Sequence, residues 1–332
     1  MTRPTIPKVL LYDPAVSSLN MGDHIISESC RRELGPLLDH AFLVEISSHL
    51  PVSKYLSYLG HTDYRFVCGS NLLRGRMNAR FRQWDVTPLH AGLVGPAVLM
   101  GVGWWQYSDE PNAYTRWLYR RILSSDVKHS VRDEFTARKL RSMGFENVIN
   151  TSCPTMWQLN EQHCSSIPSA QAGSVVTTVT DYSRDPARDR SMLLGLTRLY
   201  TGVHIWIQGT GDLDYLDTLD LPWQKFEVLA PALGNLDAAL DDPDVDYVGT
   251  RLHAGIRALQ HGRRALVIGV DNRAAEKNRD FNLAWLPREE IHRLADVVGR
   301  TLRMDIRIPL DRISEWKAQF PELRTMPVGT AP

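Results

Sequence analysis

The chain has 332 residues, 43% hydrophobic and 23% charged, so it can bury a sizeable core and is not disordered. At about 150 residues per domain, that length suggests two domains. Lys and Arg number 38 and so do Asp and Glu, and zero net charge argues against a protein whose main task is gripping nucleic acid.

Residues 1–13 hold no apolar stretch long enough for a signal peptide. Lys8–Tyr12 reads as a short buried strand. Asp23 then stands where it can cap a helix carrying Ile25, Ile26, Cys30 and Leu34 and ending at Gly35-Pro36. Strands are predicted at Phe42–Ile46, Arg65–Cys68 and Ala97–Val102. Val86–Ser108 has no Asp, Glu, Lys or Arg and is long enough to span a membrane. Its Pro88, Pro96, Gly92, Gly95, Gly101 and Gly103 fit a buried strand with flanking loops better. A helix from Pro111 to Ser124, with Asp109 before it, precedes a strand at Val127–Val131. A helix at Asp133–Met143, stopped by Gly144, and a strand at Val148–Thr151 follow.

Between Ser152 and Gly173 the pattern lapses, which places a domain boundary there. Strands then resume at Val175–Val179, His204–Ile207, Phe226–Leu229, Val245–Val248 and Ala265–Val270. Helices alternate with them at Pro186–Tyr200, Leu213–Leu219, Leu233–Leu240 and Leu252–His261, and two more at Glu289–Leu302 and Leu310–Phe320 close the chain. Repeated β-α order implies α/β architecture with parallel sheets covered by helices. The expectation is two Rossmann-like domains, 1–155 and 172–305, with their sheets facing a central cleft, and a C-terminal helix and tail at 306–332.

In open α/β sheets, ligands bind beyond the carboxyl ends of strands. One such loop contains Asn20, Gly22 and Asp23, where a glycine and a helix N-terminus could approach a ligand closely; a plain capped loop is the alternative. Another leads into Arg251-Leu252-His253. Leu252, Ile256 and Leu259 form the buried stripe of the following helix, so Arg251 and His253 point away from it. Cations in a first turn oppose the helix dipole, which makes sense if an anion is shared by guanidinium, imidazole and backbone N–H groups; a surface Arg and a satisfied histidine are the alternative. Arg132 directly follows a strand and either reaches the cleft or pairs with Asp133. Gly101-Val-Gly103 and Gly209-Thr-Gly211 lack the third glycine of a dinucleotide fingerprint. Cys30, Cys68, Cys153 and Cys164 form no CxxC pair, no cluster has metal-ligand spacing, and no metal is expected. Residues 1–150 carry 18 basic and 14 acidic side chains. Arg74, Arg76, Arg80 and Arg82, with Phe81 among them, form an acid-free stretch there that is either a solvated loop or a surface for an anionic acceptor. Asp212–Asp246 reads as a solvated acidic face.

At these loops the sequence resembles the polysaccharide pyruvyl transferase family. The likeness is carried by Asn20-Met-Gly22-Asp23, Gly69-Ser-Asn71-Leu-Leu73, Ser130-Val-Arg132-Asp133 and Arg251-Leu252-His253-Ala254, in order over roughly residues 8 to 290. The resemblance implies a GT-B-like fold and transfer of pyruvate from phosphoenolpyruvate to a sugar of a polysaccharide or its lipid-linked precursor, commonly as a cyclic ketal. It implies that Arg132, Arg251, Leu252 and His253 surround the donor. Members have a Lys after the strand that ends here at Val270; Lys277 is the candidate and Arg273 the alternative. No cofactor beyond the donor substrate is implied. The expected location is cytoplasmic, with peripheral contact at the inner face of the membrane where the acceptor is lipid-linked. Imidazole suits the general acid the chemistry requires, which gives His253 that role and Arg251 the role of holding the donor; His24 is the reserve acid. Alanine variants at 251 and 253 are expected to stay folded. Two other readings share the scaffold: a nucleotide-sugar glycosyltransferase, and a non-catalytic glycan- or anion-binding protein.

Overall fold

The computed structural model describes residues 6–108 and 110–324, the side chain of Tyr55 apart. Asp109 thus lies outside the described residues. The chain divides into two compact units. The first comprises the described residues up to Ser18, Ile26–Trp157, and those from Pro309 onward. The second comprises Leu19–Ile25 and Gln158–Ile308. Two features depart from the boundaries read in the sequence. Residues 19–25 group with the second unit because the backbone N–H of Met21 donates to the Gln208 carbonyl at 3.0 Å. The C-terminal helix Leu310–Lys317 belongs to the first unit. Trp316 and Phe320 pack against Phe66 there, and buried Lys317 pairs with Glu33 at 2.6 Å.

In the first unit, β1 (Lys8–Asp13), β2 (Phe42–Ser47), β3 (Tyr64–Cys68) and β4 (Val98–Met100) form a parallel sheet in the order β2-β1-β3-β4. β1 lies in the middle and is buried nearly throughout, which is why it reads as an unbroken apolar run. β5 (His129–Val131) and β6 (Val148–Asn150) pair in parallel, and a bridge from Val102 to Val131 continues β4 toward them. The helix Met21–Leu38 runs through Pro36 instead of ending there. Pro36 lacks the N–H for a turn bond, but Leu34 and Leu37 are fully buried and hold the last turn. The helix Ala113–Ile122 is capped by Asn112, whose side chain accepts the Thr115 N–H at 2.8 Å. Among the described residues, no helix is long and apolar enough to cross a membrane.

In the second unit, six strands form one parallel sheet: β7 (Ser174–Thr177), β8 (Gly202–Trp206), β9 (Glu227–Leu229), β10 (Val245–Gly249), β11 (Ala265–Gly269) and β12 (Trp285–Pro287). Their order is β12-β11-β10-β7-β8-β9. Growth runs from β7 through β8 to β9, then reverses to the other side of β7 at β10. The loops leaving β7 and β10 therefore lie side by side at the reversal, the position where such sheets bind ligands. β12 and the helix Asn272–Phe281 have no counterpart in the sequence reading. That helix is densely charged, and its periodicity shows only once Ala274, Lys277 and Phe281 are seen to be buried. The expected helix at 289–302 is instead a 3-10 stretch, Arg288–Arg293, and a short helix, Leu294–Val298, with Glu290 non-helical between turns.

Candidate active site

The turn from β10 into the helix Leu252–Gln260 is built against the loop after β7. Gly249 admits no side chain, since a Cβ there would sit 2.6 Å from Thr178 Oγ1. The Arg251 N–H donates to Thr178 Oγ1 at 3.1 Å, and the Tyr247 hydroxyl donates to the Arg251 carbonyl at 2.8 Å. Thr178 Oγ1 and Tyr247 Oη lie 2.7 Å apart, which closes a ring of bonds that fixes the backbone of residue 251. Leu252, Ile256 and Leu259 are buried, as their spacing predicts. Gly255 lets the helix rest on Tyr247 and Val267, where a Cβ would come within 2.9 Å of both.

Arg251 is 4% exposed and two of its three guanidinium nitrogens are bonded. Nε donates to the Val179 carbonyl at 2.9 Å, and Nη2 donates to Asp181 Oδ1 at 2.8 Å and to Asp212. Its guanidinium carbon lies 5.0 Å from the centre of the Tyr182 ring. Nη2 therefore meets two of the protein's own carboxylates and Nε a carbonyl, while Nη1 stays outside those bonds. Asp212 is buried and also accepts the backbone N–H groups of Gln208, Gly209 and Asp181 at 2.8 to 3.2 Å. Burial pushes its carboxyl up, against the pull of Arg251, and burial prevails. The reading of 212–246 as a solvated acidic face fails at both ends, because Asp246 is also buried and pairs with Arg264 and the Tyr200 hydroxyl.

His253 is the half-exposed residue between buried Leu252 and Ala254 in the first turn of the helix. Arg273 opens the helix after β11, forks onto Asp271, and donates to the Tyr182 hydroxyl. Tyr182 thus connects Arg251 and Arg273. Lys277 is only 2% exposed, with its ammonium 5.3 Å from the centre of the Phe281 ring. Arg273 adjoins the constellation through Tyr182.

Asn20, Gly22 and Asp23 also belong to the second unit. Asn20, not Asp23, caps the helix: its Oδ1 accepts the Gly22 N–H at 3.1 Å and the Gln208 Nε2–H at 2.9 Å. Asp23 lies in the first turn, where its carboxylate accepts from Asn20 Nδ2 at 3.3 Å. Gly22 leaves room for the Gln208 side chain, whose Nε2 would lie 2.7 Å from a Cβ there. Asn20 thus fastens the loop to Gln208, two residues past β8.

In the first unit, Arg132 is buried and bonds to Asp133 Oδ2 at 2.9 Å and to the Trp104 carbonyl at 3.1 Å. Its guanidinium fills the space a Cβ at Gly103 would need. Asp133 caps the next helix through the Thr136 N–H at 2.8 Å. Burial works to raise its carboxyl, but Arg132 and the Thr136 bonds outweigh that and hold it below the usual range. Asp181, Tyr182, Asp212, Gln208 and Tyr247 escaped the sequence reading. The signal available was Gly209-Thr-Gly211 before Asp212: a Cβ at Gly209 would lie 2.7 Å from Arg251 Nη2. Among the described residues, no group of three or more His, Cys, Asp or Glu could hold a metal, and the four cysteines are buried thiols.

Two parallel α/β units, one with its charged constellation at the strand-order reversal, define a GT-B-like protein with two Rossmann-like units. The UDP-GlcNAc 2-epimerase of Methanocaldococcus jannaschii, solved with UDP-GlcNAc and UDP, is similar in fold at a TM-score of 0.52 and 12% identity, covering 91% of this chain and 94% of that one. S. aureus MnaA with UDP matches at 0.46 and 11%, covering 87% and 86%. No curated protein matches in sequence. The model of the polysaccharide pyruvyl transferase family matches residues 20–224, and the chain belongs to that family. The Arg251–Ala254 stretch lies beyond the matched span.

Proposed function

We propose that this chain moves pyruvate from phosphoenolpyruvate onto a sugar of a polysaccharide or its lipid-linked precursor, closing a cyclic ketal over two hydroxyls. The second unit is the donor side and the first the acceptor side. The observation that carries the reading is the half-exposed His253 in the first turn of the helix after β10, at the reversal of strand order. The N–H groups of that turn suit an anion, and Arg273 and Arg251 Nη1 supply positive charge nearby. Arg251 acts chiefly as a positioning residue, holding Asp181 and Asp212 in place beside the turn.

In this reading His253 delivers a proton to the methylene carbon of phosphoenolpyruvate as a sugar hydroxyl attacks the neighbouring carbon. The proton leaving that hydroxyl restores the imidazolium. A second hydroxyl then displaces phosphate from the same carbon, its proton leaving with the phosphate, and the helix N-terminus stabilises the departing charge. The balance is one phosphoenolpyruvate and one diol giving one ketal and one phosphate. We place the reaction in the cytoplasm, at the inner face of the membrane when the acceptor is lipid-linked, with no metal, cofactor or nucleic acid taking part. The test is incubation of the purified chain with phosphoenolpyruvate and a panel of glycosides, following phosphate release. Acceptor-dependent release that persists in a chelator supports the reading. Its absence with every glycoside, or release of a nucleoside diphosphate from a sugar nucleotide instead, overturns it.

A further inference from the structure

Of the four arginines in the Arg74–Arg82 segment, Arg76 and Arg80 are exposed, while Arg74 and Arg82 are bonded to neighbouring residues. Arg74 donates to the Phe81 carbonyl, and Arg82 pairs with Asp85 and donates to the Met77 carbonyl at 3.3 Å. Beside that charge the segment takes part in an aromatic surface. The Arg74 guanidinium carbon lies 4.8 Å from the centre of the Trp105 ring, and the Phe81 ring lies 6.1 Å from Trp105 at a tilt of 59°. Phe81 is 59% exposed and Trp105 half-buried. One arginine therefore holds two rings together, by a stack on one and a hydrogen bond to the backbone of the other.

The position of this ledge is as telling as its composition. Trp105 follows β4 and Gly69–Arg74 follows β3, so both segments leave the carboxyl ends of the first unit's sheet. They are laced together there: the Leu73 N–H donates to the Gly103 carbonyl at 3.1 Å, and the Trp105 and Gly103 N–H groups donate to the Leu73 and Ser70 carbonyls. Arg132, bonded to the Trp104 carbonyl, braces the same turn. A single exposed aromatic is ordinary on a protein surface. Two rings clamped by one guanidinium on laced, rigid loops at strand ends are a preformed surface, and ordering it costs little when a ligand arrives.

We propose that Phe81 and Trp105 bind the acceptor by stacking against the C–H face of a pyranose ring, with Arg74 as the positioning residue. A pyranose offers flat patches of C–H bonds to an aromatic face and hydroxyls at its rim. Arg74 spends only one of its five N–H groups on Phe81, so it also suits hydroxyl oxygens. The segment would thus recognise the sugar ring itself, with the exposed Arg76 and Arg80 at its side. The identity of the ring as pyruvate acceptor rests on the transferase reading; its binding does not.

The test uses the full chain without phosphoenolpyruvate and a panel of methyl pyranosides, with binding followed by calorimetry. Trp105→Ala and Phe81→Ala should each weaken binding tenfold or more, and Trp105→Phe should restore most of it while showing that the loop still folds. In the coupled reaction the acceptor KM should rise with kcat and the KM for phosphoenolpyruvate little changed. Wild-type affinity in both alanine variants, or no binding of any pyranoside to the folded protein, overturns the proposal. Ring-dependent binding without any phosphate release would uphold the ledge and overturn the transferase reading.

Discussion

Arg251 and His253 stand two residues apart, one sealed among carboxylates and the other half-open, and their variants should fail for different reasons. Arg251→Ala leaves Asp212 buried without its cation, a change on the scale of about 3–5 kcal/mol. Urea unfolding should show that loss, contrary to the expectation from sequence alone that both variants stay folded. The double variant Arg251→Ala/Asp212→Asn should recover part of it, because a neutral amide needs no counter-charge; an additive double variant would count against the pairing. His253→Ala should melt like the wild type and bind phosphoenolpyruvate, with kcat lower by about a hundredfold or more. His253→Gln separates hydrogen bonding from proton delivery. Near-normal kcat in that variant would make His253 an anion ligand only and pass the acid role to His24. The sequence exposed the placement of both residues through the Leu252–Ile256–Leu259 stripe. It could not expose Asp181 and Asp212, which lie 70 and 39 positions away and meet Arg251 only through the sheet.

At the scale of elements, β5 carries a pH dependence. His129 is fully buried, its Nε2–H donating to the Ser124 carbonyl at 2.8 Å and its Nδ1 accepting the Leu99 N–H at 3.2 Å. Only the neutral ring satisfies both, and burial lowers its pKa to about 4, the Ser124 bond opposing. The unfolded chain binds this proton below about pH 6.5 and the folded chain only below about 4. Stability should therefore fall as pH drops through that window, by up to ~3 kcal/mol from this one group. Urea midpoints at pH 7, 5.5 and 4 should show the slope, and His129→Gln should flatten it. Below that range Asp133 adds its own loss as it protonates, because its folded pKa is depressed. Buried strands such as β1 and β11 were legible because both faces are covered and the sequence turns uniformly apolar. The helix Asn272–Phe281 was not. Its polar residues outnumber its apolar ones, and what buries Lys277 and Glu276 is the packing around them.

For the whole molecule, the C-terminal segment is the sharpest case. Ile313, Trp316, Phe320 and Leu323 are buried in the first unit, and Trp157 and Trp316 meet with ring centres 5.8 Å apart. A chain ending at Ile308 should lose hydrogen-exchange protection in β1 and β3, while β7 and β10 keep theirs. Undiminished protection in β3 would show that the segment is dispensable. By itself the sequence determined the α/β class, the parallel order of short apolar strands and covering helices, and the family, because each is written in local spacing or in ordered short motifs. Only the tertiary structure decided that residues 19–25 join the second unit and the C-terminal helix the first, that Arg251 Nη2 meets two carboxylates, and that Phe81 lies beside Trp105 next to Arg74. Those outcomes depend on which distant groups share one buried space, and the cost of leaving a charge there unpaired is set by neighbours that no local pattern records.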